Sequence, residues 1–209
     1  MWPGERGLAL EAAALRDVSS GATKPTLAVG LGFAAGEDYP CTGRVALYHV
    51  PRKGAQGWEL QALCSREFRG PVTALQSLEH NLLVATGSRL ELCVLSSEAG
   101  AADAPPRFQL QRAAFYDGPM LMSAVHVIKN FALAASAHFG IQFVVYKAQG
   151  RQLQLLSRDF GGTDALDAQL LLAGSSLALL AADGGGTLSL FSYAPAHPDS
   201  WKGQRLLHW

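Results

Sequence analysis

The stretch Met120–Phe160 limits the folds open to this chain more than any other. It reads MLMSAVHVIKNFALAASAHFGIQFVVYKAQGRQLQLLSRDF. Lys129-Asn130, Ala137-His138-Phe139-Gly140 and Lys147 to Arg151 break it into four short apolar runs. Each run is too short for a typical helix, and the breaks carry turn chemistry, so the stretch predicts four strands joined by tight turns.

The same cycle recurs along the chain. Upstream lie VTALQSL (72–78), LLVAT (82–86), RLELCVL (89–95) and FQLQRAAF (108–115). Before them come TLAVGLG (26–32), VALYHV (45–50) and WELQALCSREF (58–68). Downstream, Asp164 to Leu172, LALLAA (177–182) and TLSLFSY (187–193) begin a further cycle, and RLLHW (205–209) ends the chain. Residues 33–42, 51–57 and 96–106 read as loops, and Gly174-Ser175 as a turn. Cycle starts near Val72, Leu121 and Leu166 give a period in the forties, the length of a four-stranded propeller blade. In each cycle the middle strands are the most apolar, as expected where blades stack face to face, while the last strand alternates and keeps a wet face.

The expected fold is therefore all-β, with WD40-like β-propeller blades, and a β-sandwich is the alternative. The strands count as one partial blade (26–68), two full ones (72–115 and 121–159) and three strands of another (166–193). That makes an incomplete ring of about three to four blades, read as a fragment of a larger multi-propeller protein. Exposed blade edges predict an isolated chain that is poorly soluble or oligomeric. The domain reading is an N-terminal segment over 1–25 and a partial propeller over 26–209. Within the first segment, LALEAAALRD (8–17) fits a short helix or a strand distorted by its alanines.

Composition narrows the function. Lys+Arg and Asp+Glu balance at 17 each, so there is no global basic footprint for nucleic acid. Cys41, Cys64 and Cys93 are odd in number and lack any C-x-x-C spacing, which disfavours a disulfide framework and a zinc knuckle and predicts buried thiols. Glu11 and Arg16 interrupt the N-terminal apolar stretch, no cationic region precedes it, and no run reaches membrane-spanning length. These features predict a soluble, intracellular protein.

Several motifs imitate active sites. Gly30-x-Gly32-x-x-x-Gly36 follows a strand, but Glu37, Asp38 and Pro40 come where a pyrophosphate-binding helix should start. Asp183 to Thr187 lacks the lysine of a phosphate loop and reads as a hairpin turn. Asp159, Asp164 and Asp167 fit no calcium-loop spacing and read as turn residues. Ser157-Arg158-Asp159 with distant His138 supplies the residue types of a nucleophile and base, with nothing to bring them together. His126 shares a strand face with Met122, Ala124 and Ile128 and reads as a packed histidine. His49, His80, His138, His197 and His208 have no metal spacing. Arg66 and Arg69 could touch phosphate but read as ordinary exposed arginines. No catalytic, cofactor-binding or metal residue is assigned, nucleic-acid-binding residues are unknown, and no aromatic stacking array is visible.

Longer words carry a resemblance. They are GEDYPCTGRVALYHV (36–50), GPVTALQSLEHNLLVATGSRLELCVL (70–95), FYDGPMLMSAVHVIKNFALAA with its closing LSRDF, and SYAPAHPDSWKGQRLL (192–207). In order and spacing, over roughly residues 15 to 209, they resemble the carboxy-terminal region of the largest subunits of the cleavage and polyadenylation specificity factor. That superfamily also holds the large subunit of the damaged-DNA-binding protein and a splicing-factor 3b subunit. Pro71 to Leu75, Ile128 to Phe131 and Gly203 to Leu207 favour the polyadenylation branch.

The resemblance implies a nuclear, non-catalytic scaffold in pre-mRNA 3′-end cleavage and polyadenylation. It implies WD-repeat and zinc-finger partner subunits, RNA contact mostly through those partners, and no cofactor, membrane or small-molecule substrate. The alternative is an adaptor scaffold of the same superfamily, in a cullin ubiquitin ligase and DNA repair or in splicing.

Overall fold

Period-two alternation decides the N-terminal segment. Along Glu5–Arg16, Ala9, Glu11, Ala13 and Leu15 are covered while Leu8, Leu10, Ala12 and Ala14 are exposed. That is the pattern of a strand with one wet face, not of a helix. The computed structural model, which describes residues 4–34, 41–51, 57–100, 105–174 and 176–209, places this segment as β1. β1 pairs antiparallel with β2 (Thr23–Phe33), and the register slips between Gly7 and Ala9. So the distorted-strand reading of residues 8–17 is the one observed. Alanine's helix propensity is a weak preference, and a long pairing partner overrides it.

The other strands are β3 (Thr42–His49), β4 (Gln61–Phe68), β5 (Val72–Leu78), β6 (Asn81–Thr86), β7 (Arg89–Glu98), β8 (Arg107–Asp117), β9 (Met122–Ile128), β10 (Phe131–Ser136), β11 (Gly140–Lys147), β12 (Gln152–Arg158), β13 (Ala165–Ala173), β14 (Ser176–Asp183), β15 (Leu188–Ser192) and β16 (Leu207–His208). They form four four-stranded sheets, each of four consecutive strands in chain order. Such antiparallel meanders are consistent with WD40-like propeller blades. Two cycles read as three strands have four: β1 completes the first, and β16, only two residues paired with Phe191 and Ser192, completes the fourth. The loops at 33–42, 51–57 and 96–106 fall partly outside the described residues, as does Ser175.

Inner strands are buried as their composition demands. β6 and β10 each expose only their first residue in part, and β11 is buried from Gly140 to Tyr146. The outermost strands β4, β8 and β12 alternate between covered and exposed.

By its contacts the chain divides into two compact units: Met1–Thr86 with Glu91–Ala113, and Gly87–Leu90 with Ala114–Trp209. The first has a core of Leu15, Ala28, Leu47, Phe68, Leu82, Val84 and Leu95 among others. It is fastened at Asp17. That carboxylate accepts hydrogen bonds from the amides of Ser19 and Ser97 (both 3.0 Å) and from the hydroxyls of Ser20 (2.6 Å) and Ser97 (2.5 Å). Burial pushes the Asp17 carboxyl up, but these four donors outweigh it and hold the pKa at about 2.

The second unit packs Leu133, Ile141 and Phe143 of the third sheet against Leu170, Leu179 and Phe191 of the fourth. Phe143 stacks on Phe131 at 5.4 Å and meets the edge of Tyr193 at 5.3 Å.

Candidate functional site

Where they are described, the residues of the motifs that imitate active sites hold local structure. Gly30 and Gly32 lie on β2 where a side chain would collide with Val72 and Leu8, at 2.6 Å in each case, so these glycines serve packing. Gly36 and the residues Glu37, Asp38 and Pro40 lie outside the described residues. Asp183 accepts hydrogen bonds from the amides of Gly185 (2.9 Å) and Thr187 (2.8 Å), and so folds the β14–β15 hairpin turn back on itself.

Asp159 accepts from the Gly161 amide (2.8 Å) and the Thr163 hydroxyl (3.0 Å), Asp164 from the His138 amide (3.1 Å), and Asp167 from the Ala168 amide (2.8 Å). Asp159 and Asp167 are thus engaged within their own segments, and Asp164 ties its loop to the turn between β10 and β11. The Ser157 hydroxyl is buried and has no hydrogen-bond partner among the described residues, so no base activates it. His126 is half-buried and accepts the Leu170 amide at Nδ1 (3.0 Å), which ties β9 to β13.

His49 and His80 lie against the carbonyls of Pro25 and Ala14, His197 accepts the Asp199 amide, and His208 packs edge-on to Phe191. Among the described residues no three His, Cys, Asp or Glu side chains group as metal ligands. All three cysteines are free; Cys93 is buried and Cys64 half-buried, but Cys41 is exposed, contrary to the sequence expectation. Burial pushes the Cys93 thiol up to about 12, which makes it inert. Arg69 is exposed as expected, but Arg66 is not: it is half-buried and paired with Glu91 at 2.8 Å.

A different surface emerges where β12 ends. Phe160, two residues past Arg158, is 44% exposed, and Trp201 is 52% exposed. The two rings meet edge to face at 5.3 Å. The Arg158 guanidinium lies 4.3 Å from the Phe160 ring centre, and that of Arg205 lies 5.1 Å from the Trp201 ring. This makes a row of arginine, phenylalanine, tryptophan and arginine, each touching the next. Among the described residues, neither arginine pairs with a carboxylate.

The loop that carries Trp201 is held firmly. A 3-10 turn at Pro198–Ser200 starts with His197 accepting the Asp199 amide. The Ser200 hydroxyl donates to the His197 carbonyl (2.6 Å) and accepts the Gly203 amide (3.1 Å). Trp201, Lys202 and Gly203 then take left-handed φ of 49°, 61° and 85° in succession, a costly backbone that only dense local bonding sustains. The loop docks on β12, because the Arg158 amide donates to the Gln204 carbonyl (3.0 Å) and the Leu206 amide to the Arg158 carbonyl (3.0 Å). One residue therefore supplies both a cation for Phe160 and the backbone that positions Trp201.

Asp159 and Phe160 form a wall shared by two cavities. The larger, about 520 Å³, includes His197, Asp199, Arg205 and His208. The smaller, about 180 Å³, includes Pro119, His138, Phe139, Arg158 and Gln142. Gln142 on β11 is fully buried, and among the described residues neither its amide oxygen nor its nitrogen has a hydrogen-bond partner. Such an orphaned carboxamide costs stability unless something else satisfies it.

Sequence reasoning missed this surface and found no stacking aromatics. Phe160 and Trp201 are far apart in the chain, and only the docking of the 198–206 loop on β12 joins them. The one available signal was a tryptophan and two arginines outside the apolar strand pattern.

Comparison with known proteins gives a consistent result. The family model described as the CPSF A subunit region matches residues 3–209. A probable cleavage and polyadenylation specificity factor subunit 1 from rice is 34% identical over 203 residues, covering 97% of this chain and 13% of the rice protein. The Arabidopsis thaliana subunit 1 is 32% identical over 209 residues, covering 99% of this chain and 14% of that protein. The Drosophila melanogaster subunit 1 is 23% identical over 190 residues, covering 88% and 12%. The chain therefore spans a small fraction of the length of the curated relatives it matches.

Proposed function

The chain belongs to the CPSF A subunit region family, and from that premise we propose that it is a non-catalytic scaffold segment of a pre-mRNA 3′-end cleavage and polyadenylation complex. Its blades hold other subunits of that complex, among them WD-repeat and zinc-finger proteins. It works in the nucleus and reaches RNA mostly through those partners. Its four sheets act as propeller blades.

The observation that carries this reading is the family match over nearly the whole chain, in step with relatives named for cleavage and polyadenylation. The carboxylates of Asp159, Asp164 and Asp167 all serve as hydrogen-bond acceptors for loop and turn groups, in keeping with a structural role for these segments.

The test is affinity purification of the tagged chain from nuclear extract. Co-purification of polyadenylation subunits is the expected result. Recovery of a cullin, or of splicing subunits, in their place would move the chain to another branch of the superfamily.

A further inference from the structure

We propose that Arg158 and Arg205 form a clamp for one carboxylate side chain of a partner protein, while Phe160 and Trp201 cover the apolar residues beside that acid. This goes deeper than the scaffold reading and rests on it only for the presence of partner subunits.

The clamp follows from backbone pairing. Arg158 and Arg205 form an isolated parallel β-bridge. It is fixed by the Arg158 amide donating to the Gln204 carbonyl and the Leu206 amide to the Arg158 carbonyl, each at 3.0 Å. Residues paired across neighbouring strands lie about 4.8 Å apart and send their side chains to the same face. Two arginines are thus set side by side, and like charges so placed are destabilising. Among the described residues no carboxylate pairs with either of them. An anion between the guanidiniums would turn that repulsion into charge-assisted hydrogen bonds. Each guanidinium also lies against a ring, 4.3 Å from Phe160 and 5.1 Å from Trp201, which restrains it before any partner arrives.

The adjoining surface sets what flanks the acid. A groove of about 520 Å³ is bordered by Phe160, Arg205, Leu206 and Leu207, and Trp201 stands against Phe160 at 5.3 Å. Exposed rings beside leucines suit aliphatic side chains. Asp159 and Asp199 border the same groove. Asp159 is held by the Gly161 amide and the Thr163 hydroxyl, and Asp199 lies 3.8 Å from His197. A run of acids would meet both carboxylates, so the fit is to a single acid between apolar residues. The rings favour a protein over a nucleic acid. They meet at 62°, which leaves no parallel slot for a base, and each already carries a guanidinium. The chain also has no excess of cations to draw a phosphate backbone, with 17 charges of each sign.

The experiment is nitrogen-15 NMR on the 209-residue chain. It is titrated with the peptides Gly-Ser-Leu-Glu-Leu-Ser-Gly and Gly-Ser-Leu-Gln-Leu-Ser-Gly and, separately, with a U10 oligoribonucleotide. The readout is the Trp201 indole signal, identified by its loss in Trp201→Phe. The glutamate peptide is expected to shift it, and the glutamine peptide to bind about tenfold more weakly. Arg205→Gln weakens the glutamate peptide about tenfold and abolishes its advantage over glutamine. Arg205→Glu reverses the preference, toward Gly-Ser-Leu-Lys-Leu-Ser-Gly. Arg205 is exposed, and the backbone amide signals check that both variants fold.

An indole signal unmoved by millimolar glutamate peptide overturns the proposal. So does equal binding of the glutamate and glutamine peptides, or binding indifferent to Arg205→Gln. Tighter binding of U10 at the same signal, lost in Arg205→Gln, overturns it in favour of a nucleic-acid surface. Any of these results beside capture of polyadenylation subunits leaves the scaffold reading standing. Peptide binding of the expected kind in a chain that captures no such subunits upholds the clamp and removes the scaffold reading instead.

Discussion

Arg66-Glu67-Phe68 closes the outermost strand of the first sheet, and Arg158-Asp159-Phe160 closes that of the third. In both the guanidinium lies over the ring two residues on, at 4.7 Å and 4.3 Å. The surroundings differ. Phe68 is 6% exposed and belongs to the core of the first unit, whereas Phe160 is 44% exposed. Arg66 also bonds Glu91 (2.8 Å) and the Cys93 sulfur (3.1 Å), whereas Arg158 pairs with no carboxylate among the described residues. The same three-residue word is thus a structural staple in one sheet and an open face in the other. Its role is set by what the next segment brings: a buried Glu91 in one case, Trp201 on a docked loop in the other.

Substitution can break this contrast, and the largest effect is expected at the glycines that begin the partner strands. A side chain on Gly43 would strike the Gly70 carbonyl oxygen and lie 2.9 Å from that of Leu31, both rigid backbone. Gly43→Ala should cost about 3 kcal/mol, measured by urea denaturation; a loss under about 1 kcal/mol would show that the first sheet yields more than its packing implies.

Next comes Arg66→Met, which removes the 2.8 Å ion pair from the Glu91 carboxylate, 8% exposed, and leaves the longer contact with Arg112 at 3.8 Å in place. About 2 kcal/mol of destabilisation is expected, and the measurement is the same titration. The Asp17 fastening in the first unit comes third, and it is sensitive to pH. Its pKa falls from 3.8 to about 2 on folding, so its contribution is complete above pH 3.8 and is lost as pH drops toward 2. Asp17→Asn should cost about 1.5 kcal/mol at pH 7, and the difference from the parent chain should vanish in acid. A difference constant down to pH 2 would contradict the charge-based account.

In the third sheet the costs shrink. Gly140→Ala places a methyl 2.5 Å from an Asp159 carboxylate oxygen at φ 61°, a side chain that can yield where backbone cannot, though only by giving up its bonds to Gly161 and Thr163. About 1 kcal/mol is expected. Arg158→Met should change stability by no more than about 0.5 kcal/mol. If it matched Arg66→Met, the two words would be equivalent and the open face would be structural after all.

Much of the fold is legible because burial writes itself into composition. FALAASA and FGIQFVVY lack polar residues at nearly every position, and β10 and β11 are buried to match. Residues 8–17 were ambiguous because alanine suits either structure, and only the long pairing with β2 decides. β16 was hidden by its length, two residues inside a Pro-containing tail. The surface of Arg158, Phe160, Trp201 and Arg205 was illegible for another reason. Nothing in REF or RDF says which will be covered, since that depends on a segment far along the chain. Arg66 was misread as an exposed arginine for the same reason: Glu91 belongs to a different sheet.

The Asp17 fastening also bears on the order of events during folding. Its bonds to Ser97 join residues eighty positions apart, a loop closed without any covalent link. Closing so long a loop is entropically expensive and belongs late on the folding path, after the local hairpins have formed. On a ribosome the first sheet waits for Ser97 to emerge before it can lock. Once locked, the clamp acts as a brake on opening, so weakening it should hasten unfolding while leaving the refolding rate nearly unchanged.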